Sequence, residues 1–445
     1  MASKKLQVEK QQDDDHSAQE GSAMNSIIRY GLVAVLAFIF LKPYFLDKNK
    51  DDAIEYHNFA VHGQTMGTTW NALVNTSVLK LIEINNDTTI ADENTTIESG
   101  EVLLSRIIQR ELDKVDAVAS TYKSDSEISR FNASKSTDWF SVSAEAASIV
   151  EIAQKVSRNT NGAFDVTVAP LVNLYRFGPN KSPLTALPSD EQVLELKEHA
   201  GYDKLEVRLD PPALRKSDPS LTIDLSGVAK GFAVDQARKA LESVGLTSYM
   251  IEVGGEICCR GHKVDADTGE NKPWVLGIQT PEVVANDASG SQRAPQMYRL
   301  LFFDSEENGG ALATSGDYRN FLQVGDTRFS HIVDPRTGKP TEIVQGKAEP
   351  TTRLGSVSVV STSCADLSCA EADAYATAFF VLGSDEGAAL AEKLNLAVLY
   401  LYRADDSARI DSLTEVATPA FTALGSKTLD ELKSERSASS SADKK

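Results

Sequence analysis

The chain of 445 residues has few cysteines, few aromatic residues and too few basic groups to balance its acids. Lys and Arg total 45 against 64 Asp and Glu, which gives a formal net charge of −19. A surface this acidic repels nucleic-acid backbones and anionic lipid headgroups, which argues against both as partners. A phosphate-bearing ligand would therefore need a metal ion, a helix N-terminus or a local basic group.

The four cysteines include no CxxC pair and no Cys/His cluster with zinc spacing, which argues against a zinc site. Cys258 and Cys259 are adjacent, so in a strand they would point to opposite faces. Cys364 and Cys369 lie on either side of an Asp-Leu-Ser turn. Two interpretations stay open, small core or loop residues and a Cys364–Cys369 disulfide in an oxidising compartment.

Only one segment is apolar enough to suggest a membrane helix. Residues 1–25 are polar and predicted to be disordered. Residues 26–46 hold a dense apolar run and are interpreted as an uncleaved anchor rather than a signal peptide, because no small-x-small cleavage site follows. Basic residues flank the run almost equally, so charge does not fix its orientation.

Composition also predicts the boundaries of the main domain. Residues 47–62 read as a linker, and a Ser-rich, charged tail at 426–445 reads as disordered. Polar loops are predicted at 85–100 and 283–296, and one large domain is predicted to fill 63–425. The sequence shows no internal repeat at the periods of solenoids or propellers.

Hydrophobic periodicity within this domain indicates interleaved helices and strands. Several strands follow one another directly, which favours an α+β fold with mixed sheets and packed helices over a doubly wound parallel sheet. The predicted helices are 102–118, 144–156, 228–244 and 370–394, and the predicted strands are 221–225, 249–258, 274–279, 298–303, 357–361 and 397–402.

A possible anion site lies in the segment from Asp224 to Asp235, which is predicted to run from a strand into a helix. Ser226 and Gly227 would form the turn, and Lys230 would add positive charge in the first helical turn. Free N–H groups and the helix dipole favour an anion there. A capped helix with a solvated lysine explains the same pattern equally well.

A second candidate is the segment 251–257, where two glycines interrupt a strand pattern between Glu252 and Glu256. Such glycines indicate either a close approach of another group to the backbone or a simple β-bulge.

Two turn-rich loops follow, at 313–318 and 331–340. The first combines hydroxyls, a glycine and Asp317. In the second, His331 precedes an Asp334-Pro turn with Arg336 close by, which makes this histidine a better site candidate than an isolated one.

A third kind of candidate lies at the start of a predicted helix, where Asp373 and Thr377 are four residues apart and share a face. A carboxylate and a hydroxyl are hard ligands that suit Mg²⁺. An acidic residue placed only to favour the helix dipole is the structural alternative.

These segments, in this order and spacing, resemble the ApbE family of flavin transferases, which move FMN from FAD to proteins. The resemblance covers roughly residues 60–403, and each motif is weak by itself. The additional matching segments are Gly63–Thr69, Ser120–Asn132, Gly162–Leu171 and Tyr175–Pro179.

The resemblance implies an ApbE-like, T-fold-related fold and a role for individual residues. It implies Mg²⁺ bound by the Gly227 carbonyl, Asp373 and Thr377, and catalysis by His331. Asp334 and Asp317 remain alternatives for the general base. The FAD contacts that it implies are Met66, Tyr122, Ala163, Phe164, Asp165, Asp224, Lys230, Ile332 and Val333.

The sequence departs from the family pattern at two points. Ala376 stands where some members carry a second carboxylate before the metal-binding threonine, and no lipobox cysteine follows the apolar run. The apolar run itself is interpreted as a single-pass anchor in place of the lipobox, and the resemblance implies a bacterial inner membrane with the catalytic domain facing the periplasm. The implied acceptors are flavoprotein subunits of membrane redox complexes.

The implied reaction is Mg²⁺-dependent transfer of FMN from FAD to a Thr or Ser hydroxyl, with release of AMP. One alternative is a Mg²⁺-dependent FAD pyrophosphatase, in which water replaces the hydroxyl. Another is a protein that binds FAD without chemistry. A structural scaffold would leave the clustered Gly, His and Asp turns unexplained.

Overall fold

The computed structural model describes the chain from residue 55 onward, with gaps. Tyr56–Lys445 forms one compact unit, and Met1–Glu55 is a separate unit that, apart from Glu55, lies outside the described residues. The predicted disordered segment, the predicted anchor and most of the two predicted loops are therefore also outside them. The described ranges are 55–86, 99–179, 184, 186–265, 268–282, 296–317, 321–324, 327–343, 353–365, 367–404 and 410–442.

Eighteen strands form five sheets among these residues. The strands are β1 Tyr56–Thr65, β2 Thr68–Ser77, β3 Phe140–Ser141, β4 Leu205–Leu209, β5 Pro212–Lys216, β6 Tyr249–Val253, β7 Glu256–Gly261, β8 Lys263–Val264, β9 Asn271–Lys272, β10 Trp274–Gln279, β11 Met297–Phe303, β12 Ser305–Gly316, β13 Phe321–Val324, β14 Thr327–Asp334, β15 Lys339–Ile343, β16 Arg353–Ser361, β17 Ala397–Arg403 and β18 Leu413–Ala417.

Ten α-helices accompany the strands in the described part of the chain. They are α1 Val78–Asn86, α2 Gly100–Ala119, α3 Glu127–Ala133, α4 Ala144–Asn159, α5 Ala169–Leu174, α6 Asp190–Lys197, α7 Ala229–Ser243, α8 Cys369–Lys393, α9 Pro419–Thr422 and α10 Leu429–Ala442.

The largest sheet has eight strands in the order β1-β2-β6-β7-β12-β16-β17-β18. Every pairing within it is antiparallel. The pairings recorded in the four smaller sheets are antiparallel as well, so the sheets are not mixed in strand direction. The α+β class is confirmed.

Both faces of the large sheet are buried at its interior strands, because their alternate side chains enter two different cores. Val398 and Tyr400 of β17 belong to the larger core, whereas Leu399 and Leu401 belong to the other. Helices α2, α7 and α8 pack in the larger core, and the β10–β11 hairpin covers the opposite face. Alternation with a period of two makes this double burial possible.

The four helices predicted from periodicity are confirmed, because their apolar residues at helical spacing face this core. Helix α2 begins after Ser99, whose hydroxyl accepts a hydrogen bond from Val102 N–H. Helix α8 is interrupted at Gly383, where φ is 68°, whereas the sequence predicted one continuous helix.

Four predicted strands correspond to β10, β11, β16 and β17. The predicted strand at 249–258 is instead the β6–β7 hairpin, with Gly254 and Gly255 in its turn at φ 61° and 111°. Residues 221–225 form no strand. Leu221, Ile223 and Leu225 are nevertheless fully buried, which explains why their alternation resembled a strand.

Two domain boundaries also differ from prediction. Strand β1 begins at Tyr56, inside the predicted linker 47–62, and pairs with β2 along its whole length. Helix α10 occupies much of the tail predicted to be disordered at 426–445, and Lys427 pairs with Leu300 by backbone hydrogen bonds. No helix within the described ranges is long and apolar enough to cross a membrane.

Candidate active site

A cavity of about 720 Å³ opens where the edge of the β6–β7 turn meets the first turns of α7 and α8. Strand β2, the loop after α4, helix α5, and strands β10, β12 and β14 contribute further parts of its wall. Its size falls within the range of pockets that enclose a small-molecule ligand. Among the described residues that line it, Lys230 is the only Lys or Arg, against five carboxylates.

The structure brings all but two of the predicted site residues to this cavity. Those that line it are Tyr122, Ala163, Phe164, Asp165, Asp224, Gly227, Lys230, His331, Ile332, Val333, Asp373 and Thr377. Met66 and Asp334 are not among them.

An ion-pair cluster occupies the centre of the wall. Lys230 Nζ lies 2.7 Å from Glu256 Oε1 and 3.7 Å from Asp373 Oδ1. Both carboxylates are almost fully buried, whereas the Lys230 side chain is 31% exposed. Gly254 permits this arrangement for two reasons. A β-carbon there would lie only 3.2 Å from Lys230 Cδ, and the φ of 61° at this position is one that residues with side chains rarely adopt.

Burial and charge act in opposite directions on this cluster. Burial opposes the ammonium form of Lys230, but the Asp373 and Glu256 carboxylates outweigh it and raise the pKa of Lys230. Burial also raises the pKa of Glu256 and that of Asp373, and in each case the nearby Lys230 opposes the rise. An added cation at these two carboxylates would favour their ionised forms and so offset the effect of burial.

The donor chemistry beside this cluster fits Mg²⁺. Asp373 and Thr377 lie one turn apart on α8, and a β-carbon at Gly227 would be 3.4 Å from Thr377 Oγ1, so the Gly227 backbone is adjacent. Glu256 Oε2 is buried and has no hydrogen-bond partner within the described part of the chain. Carboxylate, hydroxyl and carbonyl oxygens are the ligands that a hard divalent cation prefers.

Among the described residues, His, Cys, Asp and Glu side chains alone would not form a complete metal site here. Within the described residues, no group of three or more His, Cys, Asp or Glu is placed to hold a metal ion. The Gly227 carbonyl and the Thr377 hydroxyl are therefore needed for the predicted ligand set.

The predicted anion site at the start of α7 holds an anion from the protein itself. Gly231 N–H, in the first turn, donates to Asp373 Oδ2 at 3.1 Å. Val228, at the N-cap, provides no side-chain cap. The Asp373 carboxylate thus partly satisfies the α7 N-terminus, and Lys230 remains beside the cavity.

Asp165 organises the loop after α4. Its Oδ1 accepts hydrogen bonds from Thr167 N–H and Thr167 Oγ1, at 2.8 and 2.7 Å, and its Oδ2 accepts one from Tyr202 N–H at 2.8 Å. Burial raises the pKa of Asp165 to about 6, against the effect of these hydrogen bonds. The same loop places Phe164 beside Gly227.

His331 lies on β14 and faces the cavity together with Phe177. The two rings meet edge to face, with centroids 6.3 Å apart and planes inclined by 70°. The histidine therefore lines the same cavity as Lys230 and Thr377.

The other two candidates for the general base have structural roles. Asp334 accepts hydrogen bonds from the Arg336 backbone and guanidinium and so holds the β14–β15 turn. Asp317 forms an ion pair with Arg403 at 2.7 Å, and both side chains are completely buried. Neither aspartate is among the residues that line the cavity.

Met66 occupies the two-residue turn between β1 and β2. Its φ is 46°, unusual for a residue with a side chain, and Gly67 follows at 72°. The side chain packs against the large core, and the cavity is instead lined by Thr68 and Thr69 just beyond it.

Comparison with known proteins identifies the family to which this chain belongs. The profile of the ApbE family matches residues 66–400. The chain is 37% identical over 344 residues to the FAD:protein FMN transferase of Vibrio cholerae serotype O1, covering 77% of this chain and 87% of that protein. The chain belongs to the ApbE family.

Further relatives of this ApbE-family chain show similar coverage. It is 34% identical over 349 residues to the FAD:protein FMN transferase of Escherichia coli K12, covering 78% of this chain and 85% of that protein. Its structure resembles the flavin transferase ApbE from Vibrio cholerae, with a TM-score of 0.61 and 32% identity over 82% of this chain and 99% of that one. The apo flavinyl transferase ApbE of Pseudomonas stutzeri gives a TM-score of 0.63 and 28% identity, over 84% and 98% of the two chains.

The departure at Ala376 has a packing explanation in this ApbE chain. Ala376 is fully buried in the larger core and is not among the residues that line the cavity. A carboxylate at this position would enter an apolar interior. Burial of an unpaired polar group lowers the stability of the fold by about 2–7 kcal/mol.

Sequence reasoning missed several residues of the wall. Phe177 was inside a matching motif, and Ser315 was inside a noted loop, where its hydroxyl contacts Thr377 Oγ1 at 3.0 Å. Gly277 and Gln279 on β10 carried no signal in the sequence, since nothing in a strand pattern shows which end borders a cavity.

Asp235 ends the predicted strand-to-helix segment, where the sequence assigns it no role. Its two carboxylate oxygens accept hydrogen bonds from Cys369 N–H at 3.2 Å and Ala370 N–H at 3.0 Å, and thus cap the start of α8 from α7. The carboxylate is buried, and burial raises its pKa. This cap fixes the helix on which Asp373 and Thr377 lie.

We expect Asp235→Ala to lower the free energy of unfolding by roughly 2–3 kcal/mol, because two N–H groups in a buried helix start lose their partners. Chemical denaturation followed by circular dichroism measures this. Asp430→Ala, at the exposed start of α10, is the matched control and should cost well under half as much. Equal losses in the two variants would contradict the role of Asp235.

Proposed function

We propose that the chain transfers the FMN moiety of FAD to a Thr or Ser hydroxyl of an acceptor protein and releases AMP. The observation that carries this proposal is one cavity that combines Lys230, a histidine and the oxygen ligands Asp373 and Thr377. An acidic wall of this kind accepts a pyrophosphate only with a cation to offset its charge. The family and the names of its relatives support the same reaction.

Asp373, Thr377 and the Gly227 carbonyl would hold Mg²⁺. When bound, the ion would supply neutralising charge and polarise the phosphoryl oxygens. Thr377 is oriented for this by its contact with Ser315, and Asp373 by Gly231 N–H.

Lys230 supplies the positive charge that the protein itself places beside the pyrophosphate. Its side chain is held by Glu256 and Asp373, so the ammonium is positioned before the substrate arrives. A preorganised charge of this kind stabilises developing negative charge without reorganisation.

His331 serves as the general base that accepts the proton of the acceptor hydroxyl. The hydroxyl oxygen then bonds to the phosphorus on the FMN side, and the bond from that phosphorus to the bridging oxygen breaks. AMP leaves with the electron pair of that bond. Phe177 packs edge-on against the imidazole and limits its orientations.

The proposed acceptors are flavoprotein subunits of membrane redox complexes, and the proposed location is the periplasmic face of a bacterial inner membrane. The apolar run within 26–46 supports a single-pass anchor that would keep the enzyme close to such acceptors.

The test incubates the full chain with FAD, Mg²⁺ and an outward-facing flavoprotein subunit, and records the acceptor mass and AMP. We expect the acceptor to gain one FMN, EDTA to abolish the gain, and His331→Ala to slow it roughly 100- to 10,000-fold. His199→Ala, a histidine paired with Asp218 outside the cavity wall, is the matched control and should retain the rate.

Two other outcomes would overturn the proposal. AMP and free FMN without a modified acceptor would identify an FAD pyrophosphatase. Bound FAD without AMP under any condition would identify a flavin-binding protein.

A further inference from the structure

The four cysteines form two groups that are distant in the sequence, and the fold brings one cysteine of each group into contact. Cys258 and Cys259 are on β7, Cys364 is in the turn before α8, and Cys369 is the first residue of that helix. Each is a free, buried thiol. The Sγ atoms of Cys258 and Cys364 are 3.2 Å apart, across a sequence separation of 106 residues.

The other two cysteines are directed elsewhere. Cys259 faces the second core, on the opposite side of the sheet from Cys258, as predicted for adjacent strand residues. The Cys369 thiol points at the Ile257 carbonyl, 3.6 Å away, and its backbone is fixed by Asp235. Cys364 is the most exposed of the four, at 9%, and so is the one that a reagent from solution reaches first.

We propose that Cys258 and Cys364 are a disulfide-forming pair, oxidised by thiol–disulfide exchange with a disulfide such as oxidised glutathione or a protein disulfide. The sulfurs need to approach by only about 1 Å to reach the ~2.0 Å length of the bond. The proposal replaces the Cys364–Cys369 pairing considered from the sequence, and it does not depend on the proposed transferase activity.

The exchange takes place in two balanced steps. The Cys364 thiolate attacks one donor sulfur, forms a mixed disulfide and expels the other donor sulfur as a thiolate. The Cys258 thiolate then attacks Sγ of Cys364 and expels the second donor thiolate. Two cysteine thiols lose two electrons and two protons, and one donor disulfide becomes two thiols.

The bond would join the two sides of the candidate active site. Cys258 follows Glu256, the partner of Lys230, by two residues on β7. Cys364 lies in the turn that leads into α8. Asp373 is one helical turn after the start of α8, and Thr377 is two turns after it. A cross-link between residues this distant restricts the unfolded chain and stabilises the folded one.

Trypsin separates the possible pairings in the unaltered chain. Cys258 and Cys259 fall within residues 240–260, and Cys364 and Cys369 within residues 354–393, with no Lys or Arg between them in either peptide. The full chain is equilibrated with oxidised glutathione, its free thiols are alkylated, and it is digested without reduction. We expect a cross-link between the two peptides, with fragmentation that places it at Cys258 and Cys364.

Serine variants and melting complete the test. Cys364→Ser should abolish the cross-link, whereas Cys259→Ser and Cys369→Ser should retain it, and the oxidised chain should melt roughly 2–5 °C higher than the reduced chain. A bond within the peptide 354–393 or alkylation of all four cysteines would overturn the proposal. The peptide mapping uses the unaltered chain. It therefore still decides which cysteines pair, even if a serine variant fails to fold.

Discussion

Replacing Asp373 with Asn is expected to slow FMN transfer roughly 100- to 1,000-fold, the effect of losing about 3–4 kcal/mol of transition-state stabilisation. Asp373 is the only side-chain carboxylate in the predicted Mg²⁺ ligand set. Its loss also leaves Lys230 paired with Glu256 alone. Weaker binding of Mg²⁺ or Mn²⁺, measured by titration calorimetry, should accompany the slower transfer.

The fold should survive this change, because asparagine still offers an oxygen to Gly231 N–H. Asp385→Asn, an exposed aspartate on the same helix, removes the same charge away from the cavity and is the matched control. If Asp373→Asn bound the divalent ion as tightly as the unaltered chain, Asp373 would not be a metal ligand.

Replacing Asp317 with Asn is expected to lower the free energy of unfolding by roughly 3–5 kcal/mol, because it leaves the Arg403 charge buried without its partner. Both side chains are completely buried. Besides its ion pair with Asp317, Arg403 donates a hydrogen bond to the Pro281 carbonyl. Asp317 directly follows Ser315 and Gly316, which line the cavity, so the pair also fixes that end of β12. Urea denaturation at neutral pH measures the loss.

The control for this prediction is an exposed ion pair. Glu270 and Lys272 lie 2.6 Å apart with side chains 64% and 41% exposed, so Glu270→Gln should change stability by less than about 1 kcal/mol. A loss of similar size in the two variants would mean that burial does not govern the Asp317–Arg403 pair. A normal stability with lost activity would instead assign Asp317 to the chemistry.

Helices were predictable from the sequence because one face of each is buried. The apolar positions of α2 and α4 repeat at helical spacing and enter the larger core, so periodicity found both. Turns were less predictable, since two glycines within 249–258 fit a bulge as well as the tight hairpin that forms. Residues 221–225 alternate in burial without pairing as a strand, and no local sequence pattern distinguishes such a segment from a true strand.

The site was predictable mainly through the family resemblance. Local chemistry suggested Asp373 with Thr377, but only the resemblance connected them with Gly227, which proves to be adjacent. Contacts across long stretches of sequence gave no signal. The hydrogen bond from Cys369 N–H to Asp235 spans 134 residues and the Arg403–Asp317 pair spans 86, and both arise only when the tertiary fold brings distant segments together.

The central claim is that the FMN of FAD passes to a protein hydroxyl and not to water. The most direct measurement counts three products in one reaction of the full chain with FAD, Mg²⁺ and acceptor: AMP, acceptor-bound FMN and free FMN. We expect AMP to equal acceptor-bound FMN at every time point, with little free FMN. AMP matched by free FMN in the presence of a competent acceptor would contradict the claim.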